Sequence, residues 1–128
     1  EYWTIEKDPA RARFGGPRHV TSDLASLDAH FEPESLDLIV CNGVLGWGLH
    51  EPADIERSFS ACARALRPGG VLVLGYNDVP EKMPVPIESI RALEVFAPDA
   101  SFPEPISTET YNRHTYRVLA RRGSLPGA

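Results

Sequence analysis

The sequence predicts an α/β domain built on a mostly parallel sheet with an antiparallel closing strand. Two short runs, residues 36–41 and 71–74, are almost uniformly hydrophobic, which is typical of strands covered on both faces. Between them the apolar residues recur at steps of three and four, as on one face of a helix: Ile55, Phe59, Cys62, Ala63 and Leu66. A strand, a helix and a second strand in this order predict a right-handed crossover with its ligand site beyond the carboxyl ends of the strands.

Length and composition bound the class of protein. The chain has 128 residues, 42% of them hydrophobic and 24% charged, which is typical of one soluble domain. We assign this domain to residues 1–122 and expect residues 123–128 to form a frayed tail. No stretch approaches the length of a membrane span and no signal segment opens the chain, so we expect a cytoplasmic protein without a membrane partner. The net charge of −5 disfavours nucleic acid as a partner.

Two short strands and two helical turns are predicted before the crossover. Aromatic and β-branched residues favour a strand at residues 2–5, and a second short strand follows at residues 18–21. Residues 10–14 have room for one turn of helix before a Gly-Gly-Pro sequence breaks the chain. Residues 24–31 form an amphipathic turn that leads into the first central strand.

The helix of the crossover is predicted to begin near Pro52. Proline suits a first helical turn, because its fixed φ angle is helical and its missing N–H is not needed there. Arg64 and Arg67 suit the last turn, where cations face the negative end of the helix dipole. The sequence Pro68-Gly69-Gly70 then ends the helix and turns the chain into the second central strand.

The remaining chain is predicted to add a loop, a helix and a closing strand. Residues 77–86 contain three prolines and form a loop beside the site. Pro86 opens a further amphipathic helix. Residues 98–105 again contain three prolines, which leaves at most a short edge strand. Residues 112–121 alternate polar and apolar side chains, which predicts the antiparallel closing strand.

Acidic residues follow the first two predicted strands. Glu6 can accept hydrogen bonds from both hydroxyls of a ribose, or it can serve as a cap in the turn. Asp8, which precedes a proline, fits the role of cap or turn residue better. Asp23 can accept a hydrogen bond from an adenine amino group, or it can cap the turn that begins at Leu24. Taken by itself, an aspartate at this position favours the role of cap.

A glycine-rich turn follows the first central strand. Residues 42–48 contain three glycines around Trp47, which permits close approach of the backbone to a ligand with the indole as a flat wall. In the other interpretation Trp47 only fills the core. His50 lies just behind this turn and is the one candidate for a general base, while no other residue stands out as catalytic.

The remaining histidines and the cysteines predict neither a metal site nor a nucleophile. No histidine stands at a metal-ligand spacing from another histidine, a cysteine or an acid. We interpret His19, His30 and His114 as surface or structural residues. Cys41 and Cys62 lie in a predicted strand and on an apolar helix face, so we expect small core residues in a reducing compartment.

Four stretches resemble the class I methyltransferases that use S-adenosylmethionine. FEPESLDLIVCNGVL, residues 31–45, is similar to the fourth strand of that family, and LRPGGVLVLG, residues 66–75, is similar to its fifth. Residues 3–9 resemble its second strand with an acidic end, and residues 21–24 resemble the segment after its third. The resemblance implies a Rossmann-like, doubly wound sheet that is mostly parallel and has an antiparallel closing strand.

The resemblance also implies a role for each strand end. Glu6 would bind the ribose hydroxyls of S-adenosylmethionine, and Asp23 with Leu24 would contact the adenine. Asn42 and Gly43 would lie beside the methionine part and the transferred methyl group. The acceptor, which we expect to be a small molecule, would lie against a second set of residues: Trp47, Tyr76, Asn77 and Asp78.

The first strand of that family and its glycine-rich loop have no counterpart in these residues. In the family this strand lies between the second and the fourth, so we expect it to come from a preceding segment of a longer protein or from a partner chain. The predicted function is methyl transfer to a small molecule by in-line displacement, in the context of a longer chain. Two alternatives stay open: a non-catalytic binding or partner subunit, and an NAD-dependent oxidoreductase, since Glu6 also suits the ribose of NAD.

Overall fold

The computed structural model describes residues 2–108 and 112–123, within which the chain forms seven strands and one α-helix. The helix, α1, spans Pro52–Ala65. The strands are β1 (Thr4–Glu6), β2 (His19–Thr21), β3 (Leu36–Asn42), β4 (Leu66–Asn77), β5 (Phe96–Pro98), β6 (Ile106–Ser107) and β7 (His114–Arg121). The predicted crossover is therefore present as β3, α1 and β4. The predicted frayed tail lies outside the described residues beyond Gly123.

The strands form two sheets. β1 and β2 pair in parallel in a two-stranded sheet. The larger sheet has the order β3-β4-β7-β5, with β6 also paired to β7. β3 and β4 are parallel, whereas β7 is antiparallel to β4, β5 and β6. Among the described strands of this sheet, β7 alone runs opposite to the others, which confirms the predicted antiparallel closing strand.

Strand pairing does not join the two sheets within the described residues. β3 forms an edge of the larger sheet and pairs there with β4. Leu38 and Val40 of β3 are 55% and 62% exposed, which is high for apolar residues of a strand. The break lies between the counterparts of the second and fourth strands of the resembled family. This is the position that the resemblance implies for the first strand.

One hydrophobic core holds α1 against the larger sheet. Pro52 begins the helix and Arg64 lies in its last turn, as predicted. The fully buried side chains of α1 and β4 belong to a single cluster: Ile55, Phe59, Cys62, Leu66, Leu72, Leu74 and Tyr76. Because this cluster fixes α1 on the sheet, it also fixes the loops that leave β3 and β4 at their carboxyl ends.

The junction of α1 and β4 differs from the prediction. α1 ends at Ala65 and β4 begins at Leu66, so Arg67 and the Pro68-Gly69-Gly70 sequence lie within the strand. Leu66 pairs with Leu36, and the register shifts directly after this pair. Gly69 has a φ angle of +80°, which a glycine adopts without steric cost. The Pro-Gly-Gly sequence therefore forms an irregularity inside β4 instead of a separate turn.

The helix predicted after Pro86 is replaced by two 3₁₀ turns at residues 87–89 and 91–95, with Ile90 extended between them. The carboxylate of Glu56 on α1 accepts hydrogen bonds from the first two backbone N–H groups of the second turn, at 3.0 and 2.7 Å. These N–H groups are thus held by α1, and they do not continue an α-helix.

The short elements elsewhere agree with the predictions. The two predicted helical turns are 3₁₀ turns at Pro9–Phe14 and Leu24–Ala29. β5 is a three-residue edge strand that pairs with β7, close to the proline-rich segment for which a short edge strand was expected. No helix in the described ranges is long and apolar enough to cross a membrane.

Both cysteines are buried thiols, as predicted. Burial raises the pKa of the Cys41 thiol from its ordinary value of 9.0 to about 12. Burial also raises the pKa of the Cys62 thiol, and the proximity of Cys41 adds to this shift. Both thiols are therefore neutral near pH 7, which makes them poor nucleophiles.

We expect the free energy of unfolding to fall as the pH rises above about 9. The unfolded chain releases the two thiol protons from that pH upward, whereas the folded chain retains them up to pH about 12 at Cys41. The expected loss between pH 8 and pH 10 is about 1.4 kcal/mol per thiol, measured by urea unfolding. The Cys41→Ala/Cys62→Ala variant, in which the other titrating groups are unchanged, should lack this part of the pH dependence. An identical pH dependence in both proteins would contradict the buried neutral thiols.

Candidate functional site

The predicted site residues lie at the carboxyl ends of β1, β2, β3 and β4. Within each sheet these strands are parallel, so their carboxyl ends share one edge. Nζ of Lys7, directly after β1, donates a hydrogen bond to the backbone O of Gly48 at 3.0 Å. Because this bond joins the segment after β1 to the loop after β3, the carboxyl ends of the two sheets lie side by side.

Glu6, the last residue of β1, is half-buried and held by the turn that follows. Its Oε1 accepts a hydrogen bond from the N–H of Asp8 at 3.1 Å. Asp8 in turn accepts from the N–H of Ala10 at 3.0 Å, which confirms its predicted role as a cap. Glu6 lines an open pocket of about 360 Å³ together with Arg11 and His19. One carboxylate oxygen thus orients the group, and the other can accept from a ligand.

Asp23 and Leu24 lie just beyond β2. Asp23 takes the N-cap position of the turn at Leu24–Ala29, but its side chain makes no capping hydrogen bond. Its backbone O accepts from the N–H of Ser26 at 3.2 Å instead. The preferred interpretation of its carboxylate as a cap is therefore wrong, and that carboxylate is exposed. Leu24 is half-buried and packs against the core.

Asn42 and Gly43 form the end of β3. Gly43 has a φ angle of +74°, and a Cβ placed on it would meet nothing within 4 Å. Its N–H donates to the O of Gly75 at 2.9 Å. The backbone is thus fixed while the space beside it is open, which suits the close approach of a ligand. The exposed Asn42 has its Oδ1 2.8 Å from Nε2 of His114.

A cleft of about 280 Å³ lies between the glycine-rich turn and the loop after β4. Its lining residues are Gly46, Trp47, His50, Glu81, Lys82, Met83 and Pro84. Trp47 is 74% exposed, so it does not fill the core, and its indole is available as a wall. Gly46 has a φ angle of +83°, and a Cβ there would lie 2.4 Å from the backbone O of Lys82. Only glycine permits this contact between the two sides of the cleft.

His50 lines this cleft with an exposed ring. Its Nε2 accepts a weak hydrogen bond from the backbone N–H of Gly48 at 3.4 Å. The role of general base stays a prediction.

Three residues at the end of β4 were predicted to bind the acceptor, and they differ in burial. Tyr76 is fully buried, and its hydroxyl oxygen accepts a hydrogen bond from Nε of Arg117 at 2.8 Å. The alternation of the strand turns it into the core, so we leave Tyr76 out of the acceptor surface. Asn77 is half-buried, with its Oδ1 2.9 Å from Nδ1 of His114, and Asp78 is exposed.

Comparison with known protein families shows which family this chain belongs to. Residues 4–74, more than half of the chain, match the model of a family described as methyltransferase domain. The chain belongs to the methyltransferase domain family. No curated protein matches it. The match begins in β1 and ends at Leu74 within β4, so it includes the segments that carry Glu6, Asp23 and Asn42 and stops before Asn77.

Solved structures confirm the Rossmann-like class I methyltransferase fold. A SAM-dependent methyltransferase from Methanosarcina mazei is 14% identical with a TM-score of 0.69, and the alignment covers 96% of this chain and 82% of that one. N-methyltransferase NodS from Bradyrhizobium japonicum WM9, in complex with S-adenosyl-L-homocysteine, is 16% identical with a TM-score of 0.67, covering 95% and 66%. The 16S rRNA N2 G1207 methyltransferase RsmC of T. thermophilus, in complex with AdoMet and guanosine, is 20% identical with a TM-score of 0.61, covering 97% and 30%.

S-adenosylmethionine, the cofactor predicted from the sequence, is the one that the family indicates. The geometry of this methyltransferase domain fits that cofactor at three points. The carboxylates of Glu6 and Asp23 can accept from hydroxyl and amino groups, and the space beside Gly43 is open. Among residues 2–108 and 112–123, no group of three or more His, Cys, Asp or Glu side chains could hold a metal ion.

His114 is the residue at this edge that the sequence analysis missed. We interpreted it as a surface or structural residue, but it contacts both Asn42 and Asn77 from the first position of β7. Only the pairing of β7 with β4 places Asn77 directly opposite His114. A separation of 37 residues along the chain gives no local signal of this contact.

Proposed function

We propose that this domain transfers the methyl group of S-adenosylmethionine to a small-molecule acceptor by in-line displacement, in the context of a longer chain. Glu6 would accept from the ribose hydroxyls, Asp23 and Leu24 would contact the adenine, and Asn42 with Gly43 would lie beside the methionine part. The observation that carries the proposal is the Lys7–Gly48 hydrogen bond. It brings the nucleoside side of the site and the cleft at Trp47 to one edge of the protein.

The residues of the site would work by orientation and exclusion of water. When bound, the cofactor supplies a methyl group on a positively charged sulfur, which leaves as a neutral thioether. Such a displacement needs the attacking atom in line and near contact, and orientation of this kind can contribute about 7–11 kcal/mol. Trp47 would form an apolar wall for the acceptor. Gly46, which has no side chain, permits the close approach of the opposite loop at Lys82.

His50 is the candidate for removing a proton from the acceptor. It lies in the same cleft as Trp47, and its ring is exposed to that cleft. A base is needed only when the acceptor arrives protonated, as an alcohol or an ammonium group would. An acceptor that attacks without losing a proton would leave His50 without a chemical role.

A small molecule fits the cleft better than nucleic acid does. Its volume of about 280 Å³ is near the lower end of small-ligand pockets. Among the lining residues, the negative charge of Glu81 balances the positive charge of Lys82, so the cleft has no excess of positive charge for a phosphate backbone. The net charge of −5 supports the same choice. Methylation of RNA, the activity of RsmC, is the competing acceptor class.

The separation of the two sheets favours one alternative, a non-catalytic binding or partner subunit. β3 is the edge strand of the larger sheet, so its free backbone edge could pair with a further strand, from a preceding segment or a partner chain, laid between β3 and the small sheet. In the enzyme this strand would complete the cofactor site. In a partner subunit the same surface would serve association without cofactor binding.

The test is a calorimetric titration of the full-length gene product with S-adenosylmethionine and, separately, with NAD. We expect binding of S-adenosylmethionine and about 10- to 100-fold weaker binding by the Glu6→Ala variant, because hydrogen bonds to a carboxylate contribute about 1.5–3 kcal/mol. Glu104→Ala removes an equal charge at an exposed position outside the site and should bind as the wild type does.

Each other outcome of this titration points to a different function. A folded protein that binds neither ligand at millimolar concentration would support the partner subunit. Binding of NAD in preference to S-adenosylmethionine would support the oxidoreductase. Unchanged affinity in Glu6→Ala would leave the methyltransferase intact and remove Glu6 from the ribose site.

A further inference from the structure

The ring of His114 lies between two side-chain amides that come from neighbouring strands. Its Nε2 is 2.8 Å from Oδ1 of Asn42, at the end of β3. Its Nδ1 is 2.9 Å from Oδ1 of Asn77, at the end of β4. The imidazole therefore links the two central strands at their carboxyl ends.

The position of this ring is fixed from two further directions. The backbone O of His114 accepts from the N–H of Thr108 at 2.9 Å, and the hydroxyl of Thr108 donates to the same atom at 3.2 Å. The ring of Tyr116 meets the His114 ring edge to face, with their centroids 4.9 Å apart. A side chain that is held by its backbone and by an aromatic neighbour can in turn hold the groups that it contacts.

The chain makes room for this arrangement with a glycine on β4. A Cβ placed on Gly75 would lie 2.3 Å from Oδ1 of Asn42 and 2.8 Å from Cε1 of Tyr116. The Asn42 amide can therefore reach across β4 to His114 only because position 75 has no side chain. Gly75 pairs with Asn42 on one side and with Tyr116 on the other.

Hydrogen-bond chemistry determines what the two amides offer to a ligand. An imidazole with one N–H donates from that nitrogen and accepts at the other. The amide that accepts from the ring directs its NH₂ group away from it, and the amide that donates to the ring directs its oxygen away. Asn42 belongs to the predicted cofactor side of the site and Asn77 to the predicted acceptor side. One imidazole thus sets the orientation of an amide in each half of the site.

We propose that His114 is a positioning residue that fixes the orientation of the Asn42 and Asn77 amides, so that one presents its NH₂ group outward and the other its oxygen. The inference rests on the proposed function, and it specifies the ligands further. At one amide the ligand would carry an oxygen that accepts from the NH₂ group, and at the other it would carry a hydroxyl or amino group that donates to the amide oxygen. His114 itself touches neither ligand and transfers no proton.

The first test follows the amides directly by NMR, without any ligand. In the wild type the side-chain NH₂ signals of Asn42 and Asn77 should be dispersed from those of exposed asparagines. His114→Phe keeps the ring and its contact with Tyr116 but removes both nitrogens, so both pairs of signals should move to exposed positions. Gly75→Ala should move the Asn42 signals alone. Signals that do not respond to either substitution would overturn the proposal.

The second test measures S-adenosylmethionine affinity of the full-length gene product by calorimetry. We expect about 3- to 10-fold weaker binding in His114→Phe and in Gly75→Ala, which is the effect of losing one ordered hydrogen bond. His114→Gln can still donate to one amide and should recover part of the affinity. His30→Phe makes the same change at an exposed histidine and should bind as the wild type does.

The two tests separate this inference from the proposed function. Wild-type binding with equal affinity in His114→Phe would overturn the positioning role and leave the methyltransferase assignment intact. Absence of binding in the wild type would overturn the proposed function, and the positioning role with it.

Discussion

Replacing Phe59 by alanine is expected to lower the free energy of unfolding by about 3–5 kcal/mol. Phe59 lies in the middle of α1, is fully buried, and belongs to the core cluster that joins the helix to β4. Removal of the ring deletes its burial and leaves a cavity that neighbouring side chains refill only in part. Since domains of this size are stable by about 5–15 kcal/mol, the variant should be close to unfolding at room temperature. Urea unfolding followed by circular dichroism measures the change.

Phe102→Ala is the matched control for this prediction. The chemical change is the same, but Phe102 is 52% exposed and belongs to the proline-rich segment outside the core. We expect its effect to stay within about 0.5 kcal/mol, as for most surface substitutions. Phe59→Leu should lie between the two, because most of the buried volume is retained. If Phe59→Ala and Phe102→Ala had similar effects, the placement of α1 on the sheet would be wrong.

The position of Phe59 also illustrates which parts of the fold the sequence could predict. Its spacing to Ile55 and Cys62 follows the helical period, and the flanking apolar runs are short and uniformly apolar, which is typical of buried strands. These are local patterns, in which each residue carries information about its neighbours within one or two turns. The crossover and the closing strand were predicted from such patterns alone.

The failed predictions depend on partners that are distant along the chain. The segment after Pro86 has the apolar spacing of a helix, but Glu56 holds its N–H groups from another element. Tyr76 was assigned to the acceptor surface because it follows an apolar run, yet it is part of that run and bonds to Arg117 on β7. In each case a contact with an element that is distant along the chain decides the structure, and no short-range pattern contains it.

The candidate site also has one part that local patterns predict and one part that depends on distant contacts. The strand ends that carry Glu6, Asp23 and Asn42 could be located because strand ends are local features of the sequence. The hydrogen bond between Lys7 and Gly48 spans 41 residues, and it could not be predicted. His114 was missed for the same reason. The sequence identifies the site residues one by one. Their arrangement relative to one another depends on long-range contacts of this kind.

Gly46→Ala is expected to destabilise the fold by about 2–4 kcal/mol and to displace one side of the cleft. Two costs add at this position. The φ angle of +83° is unfavourable for any residue with a Cβ, at about 1 kcal/mol or more. The new Cβ would also lie 2.4 Å from the backbone O of Lys82, and a backbone atom cannot move aside without moving its loop. Urea unfolding measures the stability. In a Trp3→Phe background, the fluorescence of the exposed Trp47 reports on the cleft.

Gly43→Ala separates the two costs. Gly43 has a similar φ angle of +74°, but a Cβ there meets nothing within 4 Å. It should therefore lose only the backbone part, about 1–2 kcal/mol, and leave the Trp47 emission unchanged. The difference between the two variants is then the energy of the contact between the glycine-rich turn and the loop after β4. Equal losses of stability in the two variants would mean that the loop after β4 moves aside at little energetic cost. Glycine would then be required at position 46 for its φ angle and not for the contact across the cleft.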